Sequence, residues 1–199
     1  MPDPRATPAF ADDLAGTLAH AWACLARGVA DRRSAFHTIG VATIGLDGRP
    51  RLRTVVLRAV EPSAARLRFH TDARADKVAE LAADPRIALH GYDPGGKLQI
   101  RVEGRASVHG EDAVADAAWA ASRPMSRDCY GTRPAPGTPL SAPDAFALPA
   151  DEAERAAGRV HFRAVTVAVE TIETLYLAHG GHRRARFDIP NREAAWLVP

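Results

Sequence analysis

Cysteine is almost missing from this chain: Cys24 and Cys129 are the only two in 199 residues. Two thiols so far apart build neither a disulfide framework nor a thiolate metal site. Lysine is equally scarce, with Lys77 and Lys97 alone among 26 basic side chains, so the basic character is almost all arginine. Charge of one sign is lacking too. The 24 acidic residues leave a formal net charge of +2, which offers little to a nucleic-acid backbone or a membrane surface. No run approaches the ~18 apolar residues of a membrane span, and the opening MPDPRATPAF has no apolar secretion-signal core. Dinucleotide-binding G-x-G-x-x-G, P-loop and G-x-S-x-G patterns are absent. His179 and His182 span a Gly-Gly turn with no carboxylate or thiol beside them, so no metal site is expected. These absences make a cytoplasmic protein without nucleic-acid or membrane partners the expectation.

What remains suits one domain over residues 1–199. At 46% apolar content, a chain of this length buries roughly 70% of its extended surface, enough for a sizeable core. Residues 1–9 are proline-rich and read as loose. Asp12 or Asp13 caps a helix whose apolar stripe is Leu14, Leu18, Trp22, Leu25 and Val29. Phe36 to Leu46 is β-rich, and Asp47-Gly48 is a hairpin turn into Arg53-Thr-Val-Val-Leu-Arg58, a β-branched run with a cation at each end. Leu67 to Thr71 alternates as a half-buried strand does, and Asp72-Ala-Arg-Ala-Asp-Lys77 opens a helix that stops at Asp84-Pro85. Backbone N–H groups at that helix start, with Arg74 and Lys77 beside them, form an anion site by charge and geometry.

Further strands follow at Ile87 to Tyr92 and Lys97 to Val108, the second with the clearest period of two in the chain. Glu111 to Ser122 reads as a helix. Residues 123–150 hold six prolines without periodicity and read as a long loop around the site or a partner. Val160 to Tyr176 is again strand, and His182 to Phe187 begins the last one. The pattern is mainly β with peripheral helices, a closed or nearly closed antiparallel barrel.

Several segments, in order, resemble the pyridoxamine 5′-phosphate oxidase-like family of flavin-binding split barrels. Arg53-Thr-Val-Val-Leu-Arg58 is similar to the family's flavin-binding strand Arg-x-Val-Leu-Leu-Lys, His70-Thr71 stands at its Tyr-Thr, and Lys77 at the lysine of Ser-Arg-Lys. Leu98-Gln-Ile-Arg-Val-Glu-Gly104, Ser122-Arg-Pro124, Glu170-Thr-Ile-Glu173 and Arg186-Phe187 match further signatures. The resemblance implies an FMN-binding antiparallel split β-barrel and a homodimer with the flavin at the subunit interface. Implied cofactor contacts are Arg53, Thr54, Val55, Val56, Leu57, Arg58, His70, Thr71, Lys77, Gln99 and Arg186. The cationic members suit a phosphate dianion, and Gln99 or Arg186 suits the negative charge of a reduced flavin.

Departures bear on function. Asp76 stands where the family has an arginine, leaving Arg74, a helical turn away, as the available substitute. Arg58 replaces a lysine, Leu175 a flavin-stacking tryptophan, and Arg183-Arg184-Ala185 an Arg-Leu-His substrate element. Positions that hold pyridoxal phosphate map to Trp119, Arg123 and Arg127, where Tyr, Arg and Ser are expected. The reading is therefore an FMN-dependent oxidoreductase moving hydride between flavin and a small-molecule substrate or nicotinamide nucleotide. A true pyridoxine/pyridoxamine 5′-phosphate oxidase with a remodelled pocket, or a non-catalytic protein holding flavin, deazaflavin or haem, are the alternatives. Catalytic residues are not assigned.

Overall fold

The computed structural model describes residues 7–199. Most of the expected loose start, residues 1–6, lies outside the described residues, and Ala9–Asp12 is a 3-10 turn. Helix α1, Leu14–Ala30, starts where Asp13 accepts a hydrogen bond from the Gly16 N–H at 2.6 Å. Its apolar stripe lies over the strands: Trp22 and Leu25 are buried, and Leu14, Leu18 and Val29 pack against the same core.

Six strands close into a barrel: β1 (Thr38–Ile44), β2 (Pro50–Glu61), β3 (Arg66–Asp72), β4 (Arg86–Asp93), β5 (Leu98–His109) and β6 (Phe162–Tyr176). Their order is β3-β2-β1-β4-β5-β6, and β3 pairs back onto β6, so no edge is left in the ring. All pairings are antiparallel. The alternation expected in β5 holds: Leu98, Ile100, Val102 and Ala106 face the interior while Arg101, Glu103 and Arg105 are exposed. Val41, Leu57, Leu67, Phe69, Val165 and Ile172 complete a continuous interior. This is a mainly β protein, a closed antiparallel barrel with peripheral helices.

Strand β6 serves two partners along one edge. Its first half runs beside β3 as far as Ala168, and its second half, from Thr171, beside β7 (Arg183–Asp188). The changeover coincides with a bulge opposite Glu103 and Gly104 of β5. A Cβ at Gly104 would sit 2.1 Å from the Ala168 carbonyl oxygen, so only glycine permits the strands to close there.

Four helices decorate the barrel: α2 (Asp76–Ala83), α3 (Ala113–Ala120), α4 (Pro124–Gly131) and α5 (Glu152–Ala157). Three local expectations differ. Strand β3 continues through Asp72, and helix α2 begins only at Asp76, because Asp72 accepts the Arg74 N–H in a tight turn. The proline-rich stretch opens with α4, whose Pro124 occupies the first turn, where a missing N–H costs nothing. The strand at His182 is not the last. A further strand, β8 (Glu193–Leu197), pairs with β7 around a turn in which Arg192 has φ +58°. Only Leu197 of β8 is even half-buried, so the strand has no alternating pattern to read.

Helix α1 is held close to the barrel at Gly28. A Cβ there would lie 2.4 Å from the Phe36 carbonyl oxygen, and His37 Nδ1 donates to the Gly28 carbonyl at 2.7 Å. Gly28→Ala is expected to cost about 1–3 kcal/mol through this backbone clash, while Gly180→Ala, with nothing within 4 Å, serves as a neutral control. Urea unfolding of both variants measures the difference.

Candidate functional site

The largest gathering of the expected residues is a cavity of about 370 Å³ on the outer surface of β1, β2 and β3, beneath α4. Thr54, Val56 and Arg58 enter it from alternate positions of β2, with Val55 at its base and Thr38 from β1 beside them. The β2–β3 register slips between Leu57 and Ala59, which makes Arg58 the extra residue of a bulge and turns its guanidinium outward. Arg58 has no ion-pair partner among the described residues.

His70 reaches the cavity from β3. Its Nε2 is buried without a hydrogen-bond partner, and its ring meets Phe162 edge-on at 4.8 Å. Burial, then the charges of Arg68 and Arg58, push its pKa down to about 3. The imidazole is therefore neutral at physiological pH and offers one uncharged polar atom to whatever occupies the cavity. Lys77, on the first turn of α2, donates to Thr71 Oγ1 at 3.0 Å. Burial, then the nearby Arg53 charge, lower its pKa from the usual lysine value.

Helix α4 supplies the cover through Met125, Ser126, Cys129 and Tyr130. These residues were not singled out in the sequence, because they sit in a stretch without periodicity. Pro124 after Ser-Arg was the available helix-start signal. Arg74 straps this helix down: its guanidinium pairs with Asp72 at 2.7 and 2.9 Å and donates to the carbonyls of Thr132 at 3.0 Å and Tyr130 at 3.2 Å. Burial pushes the Tyr130 hydroxyl far above its usual value, so it stays a neutral phenol.

Other expected residues lie elsewhere. Leu57 is fully buried in the core, and Thr71 lies behind Lys77. Arg53 points toward the barrel end, where it pairs with Glu80 at 2.6 Å and donates to Thr43; Thr43 also donates to Glu80 at 2.5 Å. Gln99, on β5, and Arg186, on β7, do not line the cavity of this chain. Trp119 packs against Phe162 and Tyr130, with Arg127 4.8 Å over its ring. Arg127 donates to the carbonyls of Trp119 and Ala120, closing the end of α3, and Arg123 is exposed at the start of α4. Within one chain, then, Trp119 and Arg127 buttress the cavity from behind Tyr130.

Residues 19–110 match the family model described as pyridoxamine 5′-phosphate oxidase, FMN-binding domain. That segment, just under half of the chain, is similar to an FMN-binding domain of this type. Among curated proteins it is similar to pyridoxine/pyridoxamine 5′-phosphate oxidase 2 of Arabidopsis thaliana, 36% identical over 52% of this chain and 55% of the relative. The chain thus spans about half the length of such relatives. Two solved structures share its fold. One is a pyridoxamine 5′-phosphate oxidase-related FMN-binding protein from Nostoc punctiforme, with TM-score 0.70 and 23% identity over 92% of this chain and 96% of that one. The other is PhzG from Burkholderia lata, with TM-score 0.72 and 20% identity over 98% of each chain.

The residues present fit FMN as the cofactor. Arg58 supplies an uncommitted cation, His70 Nε2 a buried polar atom in need of a partner, and Lys77 an ammonium beside the first turn of α2, which no side chain caps. The start of α2 is less positive than the sequence suggested, since Arg53 is matched by Glu80, Arg74 by Asp72, and Asp76 shares the first turn with Lys77.

Two outcomes are expected. Because His70 is neutral when folded and titrates near 6.5 when unfolded, the wild type loses stability as pH falls from about 6.5 toward 3. His70→Gln lacks that loss and should gain about 2–3 kcal/mol on the wild type between pH 7 and pH 4, as read from chemical denaturation at each pH. Asp76→Arg places a cation beside Lys77 and should tighten FMN binding about tenfold, measured by flavin fluorescence. Unchanged affinity would place the phosphate away from α2.

Proposed function

We propose that the protein is a homodimeric FMN-dependent oxidoreductase acting on a small molecule. The observation that carries this reading is the cavity itself, with unpaired Arg58 and neutral, partnerless His70 under the lid of α4. When bound, FMN supplies hydride transfer through its isoalloxazine ring. The protein's own part is placement and electrostatics. Arg58 balances negative charge on cofactor or substrate, Lys77 and the α2 N–H groups face the phosphate, and neutral His70 forms a hydrogen bond without adding charge. The apolar face of buried Tyr130 excludes water from one side.

A second copy of the chain completes the site in this reading. Leu52 is 75% exposed on the outer face of β2, directly across from Ala42 and near Gly40 of β1, an apolar patch suited to a like surface. Gln99 and Arg186 lie far along the sheet order from β2 and would contribute from the partner. All of residues 7–199 then act as one domain. The named activity of the Arabidopsis relative, pyridoxine/pyridoxamine 5′-phosphate oxidase, is not the reading adopted. Trp119 and Arg127 are committed to each other and to α3 rather than to an open pocket.

The visible spectrum of the purified protein is the test. A yellow protein that releases FMN on denaturation, elutes as a dimer and is bleached anaerobically by NAD(P)H or an organic donor supports the reading. Arg58→Ala should lower cofactor occupancy several-fold with an unchanged circular dichroism spectrum. A colourless protein that FMN does not restore would remove it.

A further inference from the structure

A second concavity, of about 590 Å³, lies on the outer face of β3, β6 and β5 beside α3. Pairing register explains its shape. Arg68 of β3, Thr166 of β6 and Ser107 of β5 are successive partners, one guanidinium and two hydroxyls in a single row across the sheet. One step along, Arg66 faces Ala168. The central column, Ala164, Thr166 and Ala168, consists of small side chains. Helix α3 covers its Ala164 end, where Ala115 and Ala118 pack, and leaves the floor open over Thr166 and Ala168. The aliphatic edge of α3, Val114, forms the facing wall.

The polar groups of this groove are unevenly satisfied. Glu61 pairs with Arg66 at 3.7 Å, and His109 is held on both ring nitrogens, by Asp112 at 2.8 Å and Thr166 at 2.9 Å. Arg68 is the exception. Among the described residues it has no acidic partner, and its Nε is buried with no hydrogen-bond acceptor. Leaving a buried donor unpaired is unfavourable, and a charged one more so, so native structures supply an acceptor. The one carboxylate that lines the groove, Glu61, lies beside Arg66, so the Arg68 charge has no counter-ion among the described residues and its terminal nitrogens are open to an anion from outside the chain.

We propose that this groove is a second ligand site, which takes a small molecule bearing a carboxylate or phosphate. The oxyanion is bound by Arg68 with the Ser107 hydroxyl, Thr166 staying bonded to His109, and the compact apolar part lies against Val114. Guanidinium and oxyanion match in planarity and charge, which gives the paired contact its specificity. The site is separate from the flavin cavity but shares β3 with it. Arg68 and His70 are alternate residues on one face, so their backbones lie one strand repeat, roughly 7 Å, apart. This inference does not depend on the flavin chemistry.

Titration of the purified protein, cofactor as isolated, with benzoate, phenyl phosphate and inorganic phosphate by calorimetry tests it. At least one probe should bind saturably at one site per chain. Stronger binding of benzoate identifies a carboxylic acid as the natural class, and stronger binding of either phosphate a phosphate. Arg68→Gln should weaken binding at least tenfold, with Arg68→Lys retaining part of it and flavin content unchanged in both. Val114→Trp, a surface change that fills the groove from α3 without touching Arg68, should abolish binding in a folded protein. No saturable binding, equal binding by Arg68→Gln, or displacement of the probe by added FMN would overturn the proposal. So would an ordered water as the only occupant of the Arg68 row.

Discussion

The pairing of β3 with β6 is the constraint on which the rest depends. It runs from Arg66 opposite Ala168 to Asp72 opposite Phe162 and converts a curved sheet into a closed ring. Closure fixes which face of β3 points inward. Leu67 and Phe69 go to the core, and Arg66, Arg68 and His70 are left on the outside. A slip of one residue would exchange those sets and destroy both cavities at once. The same pairing brings Phe162 against His70, and Phe162 anchors Trp119 and Tyr130 in turn. The cover that α4 forms over the Arg58 cavity is thus secured through barrel closure.

Charge placement around the cavity follows a consistent plan. Arginines that shape the protein are tied down: Arg53 by Glu80 and Thr43, Arg74 by Asp72 and two carbonyls, and Arg127 by the carbonyls that end α3, although its Nε is left without a partner. Arg58 and Arg68, exposed by the bulge in β2 and by the outer face of β3, are left free, each in a concavity. The neutral His70 between them is a consequence, since two cations and burial together disfavour a third charge.

Departures from the family's motifs acquire physical meaning in this arrangement. Asp76 does not sit in a field of spare cations, because Arg74 is already bound to Asp72. Trp119 and Arg127 are not loose replacements for substrate contacts. They stack on each other and close α3, so the change from smaller residues goes with a firmer wall behind Tyr130.

Elements whose signals are local could be read directly from the chain. The stripe of α1, the alternation of β5, the Asp47-Gly48 turn and the β-branched run of β2 were each legible, because one-sided burial imposes a period on the chain. The ordered motifs also pointed to residues that meet, since Thr54, Val56, Arg58, His70 and Lys77 lie on adjoining elements and line one cavity. Only the tertiary structure decided what depends on distant partners. Helix α4 carries no apolar period, since one short face covers a ligand cavity rather than a core. Strand β8 is an exposed edge, held by backbone hydrogen bonds that any sequence can make. Whether an arginine is free to bind a ligand is set by Glu80 or Asp72 arriving from elsewhere in the fold, and spacing along a chain does not encode that encounter.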